Sequence, residues 1–244
     1  VSWNVRNCRG VDLRVMPERV AELLVTLDAD VVALQELDVG RSRTHRLDQP
    51  AWLAARLGMR HVFCETIYGY GHALLTRCSI ERSERLALPV LSRESEPRAA
   101  LELELDVGGR SVRVLSTHLG LSAADRTTQA RILAERARPD RPTIVIGDLN
   151  AGPGQLGYVE LVPRLSDPLA DRPPRERRTW PALYPLRALD HVLLSRELAP
   201  VSAAVLDSRA ARFASDHRPV VADAVLIDPS PGTGVAPTTE EGAR

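Results

Sequence analysis

Thr143-Ile144-Val145-Ile146-Gly147-Asp148-Leu149-Asn150 decides how this chain reads. An apolar run of this length is a buried strand, and it delivers an acid and an amide at one end. Two other segments do the same. Val31-Val32-Ala33-Leu34-Gln35-Glu36 closes on a carboxylate, and Ser215-Asp216-His217 stands just before the strand-like Pro219–Leu226. Carboxylates are costly at the rim of an apolar core unless a cation or a partner compensates them. Their recurrence at strand ends therefore points to one shared polar site, and hence to an enzyme.

The chain around this signal can host such a site. Its 244 residues, 44% hydrophobic and 26% charged, suffice for one large domain, expected over residues 1–228. The formal net charge is +0, so no global field attracts polyanions. Every cationic side chain other than histidine is Arg; there is no Lys. Cys8, Cys64 and Cys78 are too few and too scattered for a disulfide framework or a structural zinc motif and read as buried small hydrophobes. A monomer in a reducing, cytoplasmic setting is expected, with no membrane span. The chain opens without Met in the strand-like Val1–Val5, which leaves room upstream for a leader or an anchor.

Helical and strand periods alternate along the sequence. Val20, Leu23, Leu24 and Leu27 fall on one helical stripe behind Pro17, and Asp28-Ala29-Asp30 stops it. Residues 40–49 form a polar, Arg-rich loop, Pro50–Leu57 a short helix ended by Gly58, and His72–Arg77 a strand. Leu101, Leu103 and Leu105 alternate with glutamates up to Gly108-Gly109, and Val112, Val114 and Ser116 return, which predicts a hairpin. Ser122–Asp125 resembles a capping box opening a helix to about Ala137, stopped by Pro139. Residues 152–187 are irregular and rich in Pro and Arg, as functional loops often are. Leu189–Leu194 and Pro219–Leu226 are further strands, and residues 229–244 are expected to be a disordered tail. The sum is an α+β sandwich in which helices cover mixed sheets.

If the strand stays extended, Asp148 and Asn150 share a face and point together into a cleft. Asp148 can then orient a water while Asn150 donates to a phosphate oxygen. Glu36 is a hard oxygen ligand suited to Mg²⁺, and His118 and His217 are donors to a developing oxyanion. Each residue alone has a plainer role. Glu36 could cap a turn, Asp148 and Asn150 could form an Asx turn, and His118 could be a structural histidine. Taken together and in order, those separate explanations require many coincidences. Arg98 and Arg126 are divided evenly between phosphate contact and surface ion pair, and Trp180 between lining the substrate pocket and anchoring its loop. His45, His61, His72 and His191 read as structural.

The ordered set Trp3-Asn4-Val5-Arg6, Leu34-Gln35-Glu36, Ser116-Thr117-His118-Leu119, Gly147-Asp148-Leu149-Asn150, Leu189-Asp190-His191-Val192 and Ser215-Asp216-His217-Arg218-Pro219 resembles the endonuclease/exonuclease/phosphatase superfamily of DNase I-like hydrolases. The resemblance implies a four-layered α/β sandwich, two mixed β-sheets packed face to face between helices, and Mg²⁺-dependent cleavage of a phosphate ester, with Mn²⁺ as a possible substitute. It implies that Asn4 and Glu36 support the metal, with Glu36 its direct ligand. Asp216 would bind a metal or orient a neighbour. Asp148 would activate water, Asn150 and His118 would stabilise the transferring phosphate, His217 would polarise it, and Asp190 would support His217.

The expected activity is a phosphohydrolase, in particular a phosphodiesterase, using in-line attack of water. Arg98, Trp180 and Arg126 are its candidate substrate contacts. A nuclease acting on DNA or RNA is the alternative; it needs a basic track, for which Arg41, Arg43, Arg46, Arg172, Arg175, Arg177 and Arg178 are the candidates. A non-catalytic binding module on the same fold is a third reading, disfavoured by the intact polar set.

Overall fold

The computed structural model describes residues 1–92, 95–138 and 140–227. The tail expected at 229–244 and the helix stop expected at Pro139 lie outside the described residues.

Among the described residues, eleven strands form two mixed sheets. In the first, Leu198–Val205 (β10), Val220–Leu226 (β11), Ser2–Asn4 (β1), Val31–Asp38 (β2), Tyr70–Thr76 (β4) and Arg60–Ile67 (β3) lie side by side in that order. In the second the order is Ser79–Leu88 (β5), Arg98–Val107 (β6), Arg110–His118 (β7), Thr143–Asp148 (β8) and Asp190–Leu194 (β9). Each sheet holds one parallel pair, β1 with β2 and β7 with β8; every other pairing is antiparallel. The parallel pairs are each joined by a helix, Pro17–Leu27 (α1) and Ala123–Arg136 (α3), because parallel neighbours need a crossover.

Strand alternation sorts the side chains into layers. Trp3, Leu34 and Leu75 face α1 and the helix Gln49–Leu57 (α2), together with Ala211 and Ala214 of Arg209–Ala214 (α5). Ala33, Leu74, Leu103, Val114, Ile146 and Val192 meet between the sheets. Leu115, Leu133, Leu149 and Leu161 pack under α3 and the short helix Tyr158–Leu161 (α4). The result is the expected sandwich of helix, sheet, sheet and helix.

Local signals account for most boundaries. Asp28 adopts φ 47° after α1, and Gly58 ends α2 at φ 64° with its N–H on the Ala54 and Ala55 carbonyls. The Ser122 hydroxyl caps α3 by accepting from the Asp125 N–H, and that helix ends at Arg136. The hairpin turns at Gly108-Gly109 as its alternation predicts. Three strands and two helices were not foreseen: β3, β5, β10, α4 and α5. In β5 and β10 most residues are exposed or half-exposed edge positions, so no apolar alternation marks them.

Two expectations need correction. β2 does not stop at Glu36 but continues to Asp38 through a register shift against β4, with Glu36 at φ 58°. Asp148 and Asn150 are not related by strand alternation either. β8 ends at Asp148, Asn150 sits at φ 48°, and its N–H donates to Asp148 Oδ1 at 2.9 Å, which is an Asx turn.

Candidate active site

The carboxyl ends of the two parallel pairs meet across the sandwich. Asn4 lies beside Gln35 in one sheet and His118 beside Asp148 in the other, with Asp190 paired to Asp148 on the next strand. Asn4 ties the sheets together: its amide donates to Glu36 Oε1 at 2.9 Å and to Asp148 Oδ2 at 3.1 Å. Its side-chain Oδ1 accepts from the Arg6 N–H at 3.1 Å. The bulge in β2 is what turns Glu36 toward this amide. Asn7 holds that bulge by donating to the Glu36 carbonyl at 3.1 Å and to Asp38 Oδ1 at 3.3 Å.

His217 arrives from the segment before β11. Its Nδ1 is 2.8 Å from Asp190 Oδ2 and its Nε2 3.9 Å from Asp148 Oδ2. Burial disfavours the charged ring, but Asp190 in contact, with Asp148 and Asp216 behind it, overrides that and lifts the His217 pKa to about 10. The ring is therefore a charged donor at neutral pH. The Trp3 indole N–H donates to the His217 carbonyl at 2.9 Å, and the Ser215 hydroxyl donates to the Asn4 carbonyl at 2.7 Å, so this segment is pinned to β1.

His118 is in the opposite state. Arg98 Nη1 stands 3.3 Å from its Nδ1, and a guanidinium can only donate, so Nδ1 accepts and Nε2 carries the proton. That Nε2 faces Asp148 Oδ2 at 3.5 Å. Burial first, and Arg98 next, hold the His118 pKa well below its ordinary value, so the ring is neutral.

The carboxylates are short of compensating charge. Burial raises the pKa of Glu36 against the pull of Asn4 and His217. Burial, then Asp190, raises that of Asp148. Asp190 Oδ1 is buried without a hydrogen-bond partner. Ligand atoms of Asp148, Asp190 and His217 lie within 4.8 Å of one another. A protonated ring is a poor ligand, however, so the oxygen donors of this cluster suit a hard cation better than that trio as a whole.

The remaining candidates fall into place around this cluster. Asn150 donates through Nδ2 to the Leu119 carbonyl at 2.8 Å. Asp216 is half-exposed, with Arg6 Nε at 3.7 Å. Arg98 is buried and bonds Glu96 at 3.1 Å, so it is no surface ion pair. Trp180 tilts over the His217 ring with centroids 6.5 Å apart. Arg126 donates to the carbonyls of Gly120 and Leu121, beside the His118 strand end, and not into the cluster. His191 bonds the Ala151 carbonyl at 3.0 Å, and the three cysteines are free.

Sequence reasoning gave no role to Asn7 or Ser215, which position the bulge and the last segment. Ser215 stood in view beside Asp216, but nothing in spacing reveals a hydroxyl that crosses to another strand. The tandem role of Thr179 was also unmarked: its Oγ1 accepts from the N–H groups of Leu189 and Asp190 at 3.1 and 3.4 Å.

Among curated proteins, the uncharacterized protein YbhP of Escherichia coli (strain K12) is 29% identical over 225 residues, 86% of this chain and 88% of that one. Among solved structures, an endonuclease/exonuclease/phosphatase from Beutenbergia cavernae superposes with TM-score 0.76 at 24% identity, covering 93% of this chain and 70% of that one. The human Nocturnin catalytic domain with bound sulfate gives 0.73 at 24%, covering 92% and 93%. A Bacteroides thetaiotaomicron mannosyl-6-phosphatase gives 0.74 at 18%, covering 92% and 98%. These neighbours share the fold. The sequence itself matches the Endonuclease/Exonuclease/phosphatase family over residues 1–217, and the chain belongs to that family.

Proposed function

We propose that this protein is a divalent-metal-dependent hydrolase of phosphate esters, a phosphodiesterase with Mg²⁺ as its cofactor and Mn²⁺ as a substitute. The observation that carries the reading is the convergence of half-buried Glu36 with buried Asn4, Asp148, His118, Asp190 and His217 in one cluster linked across both sheets. Glu36 is the direct metal ligand in this reading, with Asn4 and Asp216 in support. A bound Mg²⁺ supplies charge for a phosphate oxygen and orients it.

The chain's own groups do the rest. Charged His217 donates to the phosphoryl oxygens, held in orientation by Asp190. Neutral His118 presents Nε2–H from the other sheet. Asp148 orients the attacking water and takes its proton, and Asn150 keeps its second amide hydrogen for the phosphate. Trp180 lines the entrance. Residues 1–228 form the catalytic unit, acting as a cytoplasmic monomer. No helix of the described residues is long and apolar enough to cross a membrane.

A small phosphoester suits the site better than a nucleic acid. Three of the seven Arg residues that a basic track would need are engaged: Arg43 forms two bonds of 2.7 Å to buried Asp38, Arg41 donates to the Tyr68 carbonyl, and Arg177 bonds Asp167 at 3.1 Å. The purified chain, stripped of metal and resupplied with Mg²⁺, tests this against phosphodiesters, sugar phosphates, nucleotides, phospholipids, DNA and RNA. Turnover of a small phosphoester with no tight nucleic-acid binding is expected. Tight binding to DNA or RNA that weakens steeply with salt would replace this reading with a nuclease.

A further inference from the structure

Behind His217 the molecule gathers more guanidinium groups than its carboxylates neutralise. A cavity of ≈ 490 Å³ opens beside the end of β10, and Arg172, Arg175, Arg178 and Arg218 line it together with Glu176 and Asp207. Asp207 is already shared: Arg212 approaches its two oxygens at 2.6 and 2.9 Å, and Arg218 Nη1 reaches Oδ1 at 2.6 Å. Glu176 lies 3.7 Å from Arg175. Among the described residues no carboxylate pairs with Arg172 or Arg178. Like charges converging on a concavity focus their field into it, and guanidinium forks match the oxygens of phosphate or carboxylate.

We propose that this cavity binds the oxyanion of a small molecule, a phosphate or carboxylate group, with Arg172 and Arg178 as its principal contacts. None of Asn4, Glu36, His118, Asp148, Asp190 or His217 lines it, so it is distinct from the catalytic cluster. It is nevertheless joined to that cluster. The Arg218 N–H donates to the Thr179 carbonyl at 2.9 Å and its Nε to the Ala182 carbonyl at 2.6 Å. The Ala182 N–H in turn donates to the Asp216 carbonyl at 2.7 Å, while Thr179 Oγ1 holds the start of β9 at Asp190. An anion here therefore braces the strap that carries Trp180 and borders His217. It is either a second anionic group of the substrate or a separate small anion.

Calorimetric titration of inorganic pyrophosphate into the full chain in chelator tests binding without turnover, so it stands apart from the hydrolase reading. Saturable binding is expected, about tenfold weaker or worse in Arg172→Gln/Arg178→Gln and partly kept in Arg178→Lys. Saturable binding should survive in His217→Asn, which separates the cavity from the catalytic cluster. No saturable binding, or binding lost in His217→Asn and kept in the double Gln variant, overturns the proposal. The source of the anion rests on the hydrolase reading and is read with Mg²⁺ present. A KM raised only for substrates bearing a second anionic group identifies the substrate itself. Pyrophosphate altering wild-type kcat on a singly charged diester, but not that of the double variant, identifies a separate anion. Neither response, in a protein that turns over substrate, overturns the assignment.

Discussion

Arg98 fixes the tautomer of His118, and this single contact gives the residue-level account its sharpest test. Nδ1 must accept from the guanidinium, so the Nε2–H is aimed at the cluster. In Arg98→Ala the ring can exchange tautomers and its pKa should rise, because the largest influence after burial that holds it down is gone. We expect kcat to fall by about one to two orders of magnitude with a smaller change in KM, the pattern of a lost transition-state contact. Steady-state kinetics with an NMR titration of His118 check this. A raised KM at unchanged kcat would make Arg98 a substrate contact instead. The residues themselves were legible in the sequence because each is a polar group at the end of an apolar run. Their states were not. Whether a histidine is charged depends on which carboxylate or guanidinium faces it across 20 or more residues of chain, as Arg98 does His118 and Asp190 does His217.

At the scale of elements, Gly147 is what lets β8 bring Asp148 against β7. It has φ 148°, and a Cβ there would lie 1.9 Å from the Thr117 carbonyl oxygen. Gly147→Ala should therefore part the β7–β8 ladder, cost about 1–3 kcal/mol or more in denaturant unfolding, and lower activity beyond the loss of folded protein. Wild-type stability and turnover in that variant would show that the strands can adjust freely. Strands with an inner apolar face, such as Leu101–Leu105 and Val112–Ser116, could be read directly, as could helices with proline starts or glycine ends. The bulge at Glu36 could not. A run of Val-Val-Ala-Leu reads the same with or without a register shift, and the shift becomes visible only against Ala73 and Gly71 of the facing strand. The Asx turn at Asp148 was weighed as a plain structural role; it coexists with the site and sets where the carboxylate points.

For the whole molecule, one enclosed histidine makes stability depend on pH. His72 is fully enclosed, and burial depresses its pKa from 6.5 to about 4. The unfolded chain binds this proton first, so the contribution is complete above 6.5 and is lost as pH falls toward 4. Between pH 7 and 5 the loss from this group is about 2 kcal/mol. Urea unfolding should show it, and His72→Gln should flatten that part of the profile; an unchanged slope would mean that the ring is hydrated. The central claim is that the cluster spanning the two sheets hydrolyses phosphate esters with a divalent metal. The most direct measurement is turnover of bis-p-nitrophenyl phosphate by the metal-stripped chain, before and after Mg²⁺, beside Asp148→Asn. Turnover should be absent in chelator, appear with Mg²⁺, and fall by about two orders of magnitude or more in the folded variant. Full turnover in chelator, or a folded Asp148→Asn protein as active as the wild type, would contradict the account.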